Sequence, residues 1–363
     1  MEKKRKSLWA GVFCGFWLFL AVAVWLWPSK EMSDTERRAL AQFPELSGKT
    51  LLDGTFMEKF ESYTLDQFPL RDGFRSLKAR VHYGVFRQKD NHGIYLSQGY
   101  AAQLEYPLND ASLTHALQVF GDVYHRYLQE SKVFFSVIPD KSYFLAQGGG
   151  YPSMDYNTLL QRVRNEVPFA SYVNLTDVLT VEDYYRTDTH WRQERLSEVT
   201  DRLCQAMALP GAEDLHTVKA ETPFYGVYYG QAALPMEPEA LYYLQSPALD
   251  SCRVYNYETD AYQQIYDLPK LEGKDPYEVF LSGPVSLLRI ENPQGPKGKE
   301  LILFRDSFGS SLAPLLVQGY ESITLVDLRY VSSKMLERFL DFHGQDVLFL
   351  YSTIVLNNSF QIK

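Results

Sequence analysis

The hydrophobic pattern changes character three times along the chain. From Leu8 to Trp27 it is an unbroken, uncharged run, preceded by Lys3, Lys4, Arg5 and Lys6 and stopped by Pro28. Twenty helical residues at a rise of about 1.5 Å cross the roughly 30 Å hydrocarbon layer, so the run predicts a transmembrane helix. Residues 1–28 are thus expected to be a cytoplasmic tip and transmembrane anchor, the basic flank staying inside, everything beyond Pro28 outside, and Trp25 and Trp27 at the far interface. A cleaved signal peptide is the competing reading. The small-x-small site Ala21-Val22-Ala23 is followed by apolar Val24-Trp25-Leu26-Trp27, where a cleavage region is normally polar. Cys14 follows Phe13, which disfavours a lipid anchor.

Over residues 29–90 the apolar positions fall at helical spacing around Phe56, Phe60 and Tyr63, and Ser33 followed by Glu36 reads as a capping box; this predicts a helical stem. Gly93 to Leu96 predicts a short hairpin with Asn91-His92-Gly93 as its turn. A third regime fills 91–363. Helical periodicity from Leu113 to Leu128 leads into Val133–Ile138, an apolar run of the length of a buried parallel strand. Helix then strand recur through Leu159 to Val167 and Tyr172 to Leu175, and a helix is expected from after Trp191 to Met207. Strands return at Leu301–Phe304, Ile323–Val326 and Val347–Leu350. This alternation predicts an α/β fold, a parallel sheet flanked by helices. Residues 210–296 break the rhythm with Pro, Tyr and short strand-like pieces such as Tyr225–Tyr229 and Arg253–Tyr257, and read as an irregular, β-rich insertion that shapes the substrate cleft.

Composition narrows the function classes. A net charge of -9, about -12 beyond the basic tip, argues against nucleic acid as the main partner. Cys204 and Cys252 lie outside the span and are either a bridge or two free thiols. No dense His, Cys and carboxylate cluster has metal-ligand spacing and no glycine-rich phosphate loop follows a strand, so no metal or nucleotide cofactor is expected.

Open α/β sheets place their chemistry at the carboxyl ends of strands, and two segments fall there. Thr187-Asp188-Thr189-His190-Trp191 precedes a helix. An Asp two residues from a His can hold one imidazole nitrogen and leave the other as a general base, although an Asp cap beside a solvated His is the plainer reading. In Phe304-Arg305-Asp306-Ser307-Phe308-Gly309 a strand ends in a polar turn that opens a helix. Ser307 is then either a nucleophile with an exposed hydroxyl or an ordinary N-cap.

The two segments together resemble the DHHW family of bacterial envelope proteins, with Thr189 where the family name has His, and the SGNH-hydrolase-like domains of the alginate O-acetyltransferase proteins. The likeness extends to the membrane anchor, Glu36-Arg37-Arg38 to Pro44, Phe68 to Asp72, Gly93 to Leu96 and Pro139-Asp140-Lys141. The resemblance implies an SGNH-like sheet carrying a Ser-His-Asp triad: Ser307 as nucleophile, His190 as base and Asp188 as its orienting partner. It implies an anchored extracytoplasmic O-acyltransferase, with acetyl as the acyl group, acting on a cell-envelope or exported polysaccharide and supplied by a membrane-bound O-acyltransferase partner. An acetyl-ester hydrolase with the same triad and a non-catalytic glycan-binding protein are the alternatives. Arg305 stands where such enzymes usually have Gly, and either enters the cleft or packs behind the sheet. Tyr184, Tyr185 and Trp191 are expected to line the cleft, and Tyr351, Asn357 and Lys141 are candidate substrate or oxyanion contacts at strand ends.

Overall fold

A computed structural model describes residues 2–233 and 236–363. The side chains of Lys3, Lys4, Arg5 and Trp25, and residues 234 and 235 of the expected insertion, lie outside the described residues. The chain forms two compact units: one holds the residues up to Asn91 with a short return from Tyr229, the other His92–Tyr228 and Met236–Lys363.

In the first unit Glu2–Leu26 is one helix, and its stretch Lys6–Val24 is long and apolar enough to cross a membrane. Helix Thr55–Asp66 carries Phe56, Phe60 and Tyr63, and a further helix, Arg71–Gly84, follows it. The capping box does not open a helix. Ser33 Oγ does accept from the Glu36 amide at 3.2 Å, but Arg37 turns left-handed at φ 54°, and the chain folds back so that Met32–Ser33 pairs with Arg38–Ala39. Glu36 instead anchors a charged knot, meeting Arg71 at 2.5 Å and Arg75 at 3.1 Å. Arg38 grips Asp66 with two guanidinium nitrogens at 2.6 and 2.8 Å, which holds that carboxyl down to about 2.

The second unit is built on an eight-stranded sheet: β1 Lys132–Ile138, β2 Ser171–Tyr172, β3 Arg253–Asn256, β4 Ala261–Gln263, β5 Leu287–Glu291, β6 Glu300–Arg305, β7 Ser322–Val326 and β8 Asp346–Ser352. In space the order is β4-β3-β5-β7-β6-β8-β1-β2. From β7 to β2 every pairing is parallel; β5, β3 and β4 add antiparallel strands beyond β7. Three strands of the irregular segment therefore belong to the sheet itself. Its earlier part forms a separate hairpin, His216–Phe224 with Glu239–Gln245, and Tyr225–Tyr229 is not a strand, since a helix starts at Val227.

The strands alternate faces as buried strands must. Leu301 and Leu303 join one core with Leu348 and Leu350, whereas Ile302 and Phe304 join the other with Val347, Phe349 and Tyr351. Both faces are covered, the second by the helices Asp110–Tyr127 and Tyr156–Glu166, whose Phe120 and Leu159 belong to that core. The expected turn is present, with His92 and Gly93 both at positive φ leading into the strand Ile94–Ser97, and a second turn at Gln98 and Gly99, also at positive φ, pairs that strand with Tyr100–Gln103. Cys204 and Cys252 are buried free thiols, pushed up by burial to about 11 and about 12.

Two cations expected in the cleft are instead enclosed by protein. Arg305 is fully buried, donates to the Val285 carbonyl at 3.1 Å and faces Asp327 at 3.6 Å. Its stem lies against Gly309, where an added Cβ would come within 2.6 Å of Arg305 Cβ. The residue therefore packs behind the sheet's end, and the glycine that makes room for it comes four residues later. Lys141 is 3 % exposed and donates to the Tyr185 carbonyl at 2.8 Å, so it braces a loop from behind rather than meeting a ligand. Burial, opposed by the carboxylates of Asp188, Glu239 and Asp140, brings its ammonium down to about 7.

Asp327 is also gripped by Arg329 at 2.7 and 2.9 Å, so it keeps a partner when Arg305 is lost. Asp327→Asn, by contrast, leaves a buried guanidinium without its counter-ion and should cost about 3–5 kcal/mol, with Arg305→Met costing less. Urea unfolding of the full chain in detergent micelles, followed by near-ultraviolet circular dichroism, reads the order of the two. A second outcome concerns pH. Between about 7 and the usual 10.5 the unfolded chain binds a proton at Lys141 that the folded chain does not. Stability relative to a Lys141→Met variant should therefore rise with pH across that window and be lowest below it. A flat difference would show that Lys141 is protonated alike in both states.

Candidate active site

The strand β6 ends at Arg305, and Asp306 and Ser307 form the turn into the short helix Phe308–Leu312. Capping falls to Asp306, not to Ser307. Asp306 is fully buried, and its carboxylate accepts from the Phe308 amide at 3.0 Å and, across the sheet, from the Ser352 amide at 2.7 Å. Ser307 makes no side-chain cap, which leaves its hydroxyl available, and the residue is partly exposed.

That hydroxyl lies 2.8 Å from His190 Nε2. On the other side of the ring Nδ1 lies 2.6 Å from Asp188 Oδ1, which also accepts from the His190 amide at 3.0 Å. Asp188 is 1 % exposed and His190 9 %. The fold thus brings together residues 117 positions apart in a continuous Asp-His-Ser hydrogen-bonded line. With Nδ1 donating to the carboxylate, Nε2 is left as an acceptor facing the hydroxyl, the arrangement in which imidazole can take a proton from an alcohol.

The segment Ser171–Glu291 builds the walls of this line, and the irregular part of the chain contributes most of them. Asp188 Oδ2 accepts from the Val227 amide at 2.8 Å, Thr187 Oγ1 from the Gly226 amide at 3.0 Å, and the Thr187 carbonyl from the Tyr228 amide at 3.0 Å. Gly226 is required by this approach, because a Cβ there would lie 2.3 Å from the Thr187 carbonyl and 2.4 Å from Asp188 Cβ. Glu239 takes the amides of Arg186 and Thr187, each at 2.7 Å. Tyr277 lies flat on the His190 ring, with centroids 3.8 Å apart and planes 8° apart, and its hydroxyl meets Ser311 Oγ at 2.8 Å. Ser311 in turn accepts from Trp191 Nε1 at 2.8 Å.

Among the residues expected in the cleft, Trp191 and Tyr185 are fully buried. Trp191 ties the His190 loop to the Phe308 helix, and Tyr185 packs edge-on against Phe224. Tyr184 is likewise buried and donates to the Pro139 carbonyl. Tyr351 enters the core on the other face of the sheet against Phe120. Trp191, Tyr184 and Tyr185 therefore support the His190 loop rather than line a cleft, and Tyr351 belongs to the opposite core. Val227, Gly226, Glu239 and Tyr277 were not singled out from the sequence, since nothing in their local pattern marks a partner nearly forty to ninety residues away. No group of His, Cys, Asp and Glu able to hold a metal occurs among the described residues.

No curated protein matches the chain. Among solved structures, the fold is similar to a DHHW family protein from Eubacterium siraeum DSM 15702, at 19 % identity and a TM-score of 0.59 over 75 % of this chain and 95 % of that one. It is also similar to Bacillus cereus PatB1 with a sulfonyl adduct, at 16 % identity and a TM-score of 0.56 over 72 % and 94 %. These likenesses agree with an SGNH-hydrolase-like α/β fold. Residues 153–326 match the family model described as DHHW protein, and so carry that family's sequence pattern across Asp188, His190, Ser307 and the whole irregular segment between them.

Proposed function

We propose that this chain is a membrane-anchored, extracytoplasmic O-acyltransferase acting on the hydroxyls of a cell-envelope or exported polysaccharide, with Ser307 as nucleophile, His190 as general base and Asp188 as the residue that orients it. The observation that carries the reading is the unbroken line from Asp188 through His190 to a Ser307 hydroxyl freed from capping by Asp306. The anchor in this reading is the helix Lys6–Val24, with the basic tip inside.

Each half-reaction balances in protons. Ser307 Oγ bonds to the acyl carbon as His190 Nε2 takes its proton; the tetrahedral species then expels the donor's oxygen, which leaves with that proton. An acceptor hydroxyl next gives its proton to His190 and attacks the acyl-serine carbon. Ser307 leaves with the proton restored, and the acceptor is esterified. In this reading a membrane-bound acyltransferase partner delivers the acyl group, and an acetyl group is the small acyl unit we assign.

The test is incubation of the full chain in detergent micelles with a chromogenic acetyl ester, with and without oligosaccharide acceptors. Acetylated sugar is the expected product; release of acetate unaffected by any acceptor would make the protein a hydrolase. Ser307→Ala and His190→Ala should each lower turnover about 10³-fold or more. A sulfonyl fluoride should add covalently to Ser307 in the wild type and not in His190→Ala. Wild-type turnover no greater than that of Ser307→Ala would sink the proposal.

Two variants test the supports. Gly226→Ala forces the Asp188 turn away from its amide donors and should lower kcat by about 10²-fold with a folded chain, in line with an ångström-scale misplacement of a catalytic group. Tyr277→Leu removes the flat partner of His190 and should lower kcat about tenfold with KM nearly unchanged, while Tyr277→Phe keeps the ring and restores most of it. Equal loss in both Tyr277 variants would place the effect in the Ser311 hydrogen bond instead.

A further inference from the structure

At the carboxyl end of β8 the chain turns directly into a helix, Thr353–Asn357, and beside it opens a groove of about 820 Å³. Ile354, two residues beyond the Ser352 that holds Asp306, is on its wall. Since β8 and β6 are parallel neighbours, the groove opens at the same end of the sheet as Ser307. Its wall mixes polar residues, among them Gln103, Glu105, Asn358 and Gln361, with the ring of Tyr106 and an apolar stretch from Pro107 to Leu108.

Three features define what it would hold. Tyr106 is 63 % exposed, a flat apolar face turned to solvent beside polar groups. Glu105 is only 4 % exposed, and its side-chain partners are neutral, the amide nitrogens of Asn357 at 3.3 Å and Asn358 at 3.2 Å; burial raises its pKa. Held by neutral amide donors, this carboxyl can accept further hydrogen bonds from a ligand's hydroxyls through its remaining lone pairs. No Lys, Arg or His lines the groove, and its Asp110 carboxylate is already paired with Arg162 at 3.3 Å, so the lining offers no cation to phosphate or a polyanion. Amides that both donate and accept, a carboxyl acceptor and an open aromatic ring match a sugar, whose hydroxyls need paired donors and acceptors and whose C–H face packs on a ring.

We infer that this groove binds an uncharged, hydroxyl-rich glycan chain and is the acceptor subsite beside Ser307. The inference rests on the proposed transferase reading for the role of the glycan, but not for its binding. Cellohexaose, maltohexaose and chitohexaose, with an oligouronate of the same length as the charged comparison, are titrated calorimetrically into the full chain carrying Ser307→Ala in micelles. At least one neutral oligosaccharide should bind at millimolar concentration or below, more tightly than the oligouronate. Tyr106→Ala and Asn358→Ala, both at exposed positions, should each weaken it about tenfold, the size of one lost contact. Lack of binding by all three neutral chains, binding indifferent to both substitutions, or tighter binding of the oligouronate would overturn the groove assignment. Because the measurement needs no acyl transfer, binding by a chain whose wild type leaves Ser307 unreactive would remove the transferase reading and keep the groove.

Discussion

The site depends on the placement of one buried carboxylate. Asp188 is held through Oδ1 by the backbone and ring of His190 and through Oδ2 by the Val227 amide, so both oxygens point in fixed directions. An imidazole hydrogen-bonded in this way has its tautomer and its ring plane decided before any substrate arrives. Tyr277 closes the remaining freedom, since a ring stacked at 3.8 Å leaves the imidazole no room to tip. Only with these constraints does the 2.8 Å separation from Ser307 become a persistent geometry rather than one rotamer among several.

A second constraint acts on the serine. A hydroxyl at a strand-to-helix turn is normally consumed by the helix's own amides. Here Asp306 takes that duty and at the same time ties the turn to β8 through Ser352. The helix beyond it packs so closely on Arg305 that position 309 has no space for a Cβ. The long residue that replaces the usual small one before Asp306 is therefore accommodated by an added ion pair with Asp327 below the turn and a glycine above it, and the hydroxyl stays where the chemistry needs it.

The parts of the fold that the sequence made legible are those whose side-chain period carries information over a few residues. The strands Lys132–Ile138, Glu300–Arg305, Ser322–Val326 and Asp346–Ser352 appear as apolar runs because both faces are buried, and the Asp188, His190 and Ser307 triple was visible because its two segments are specific as a pair. What failed did so for want of local signal. Burial of Arg305 and Lys141 depends on partners at 327, 285 and 185, and a charged residue at a strand end gives no indication of whether it faces solvent or core. The capping-box pattern at Ser33 was present, but one left-handed residue, Arg37, sent the backbone elsewhere. Arg253–Asn256 was legible as a strand-like piece, whereas Ala261–Gln263 and Leu287–Glu291 were not, because three and five residues are too few to show an alternation.

The irregular segment is where this matters most for function. Its sequence reads as an insertion that shapes a cleft, and the structure gives it a further part: it supplies the amide that fixes Asp188, the glycine that allows the approach, the carboxylate of Glu239 that holds the Thr187 turn, and the ring against His190. Strands β3, β4 and β5 join it to the sheet beside β7, so the brace and the strand that leads to Ser307 are parts of one hydrogen-bonded array. The segment need not resemble anything locally for this to work: three backbone amides and one aromatic ring are enough, and many sequences provide them. Substitution there is then restricted at a few points, Gly226 above all, while the surrounding loops are free to vary.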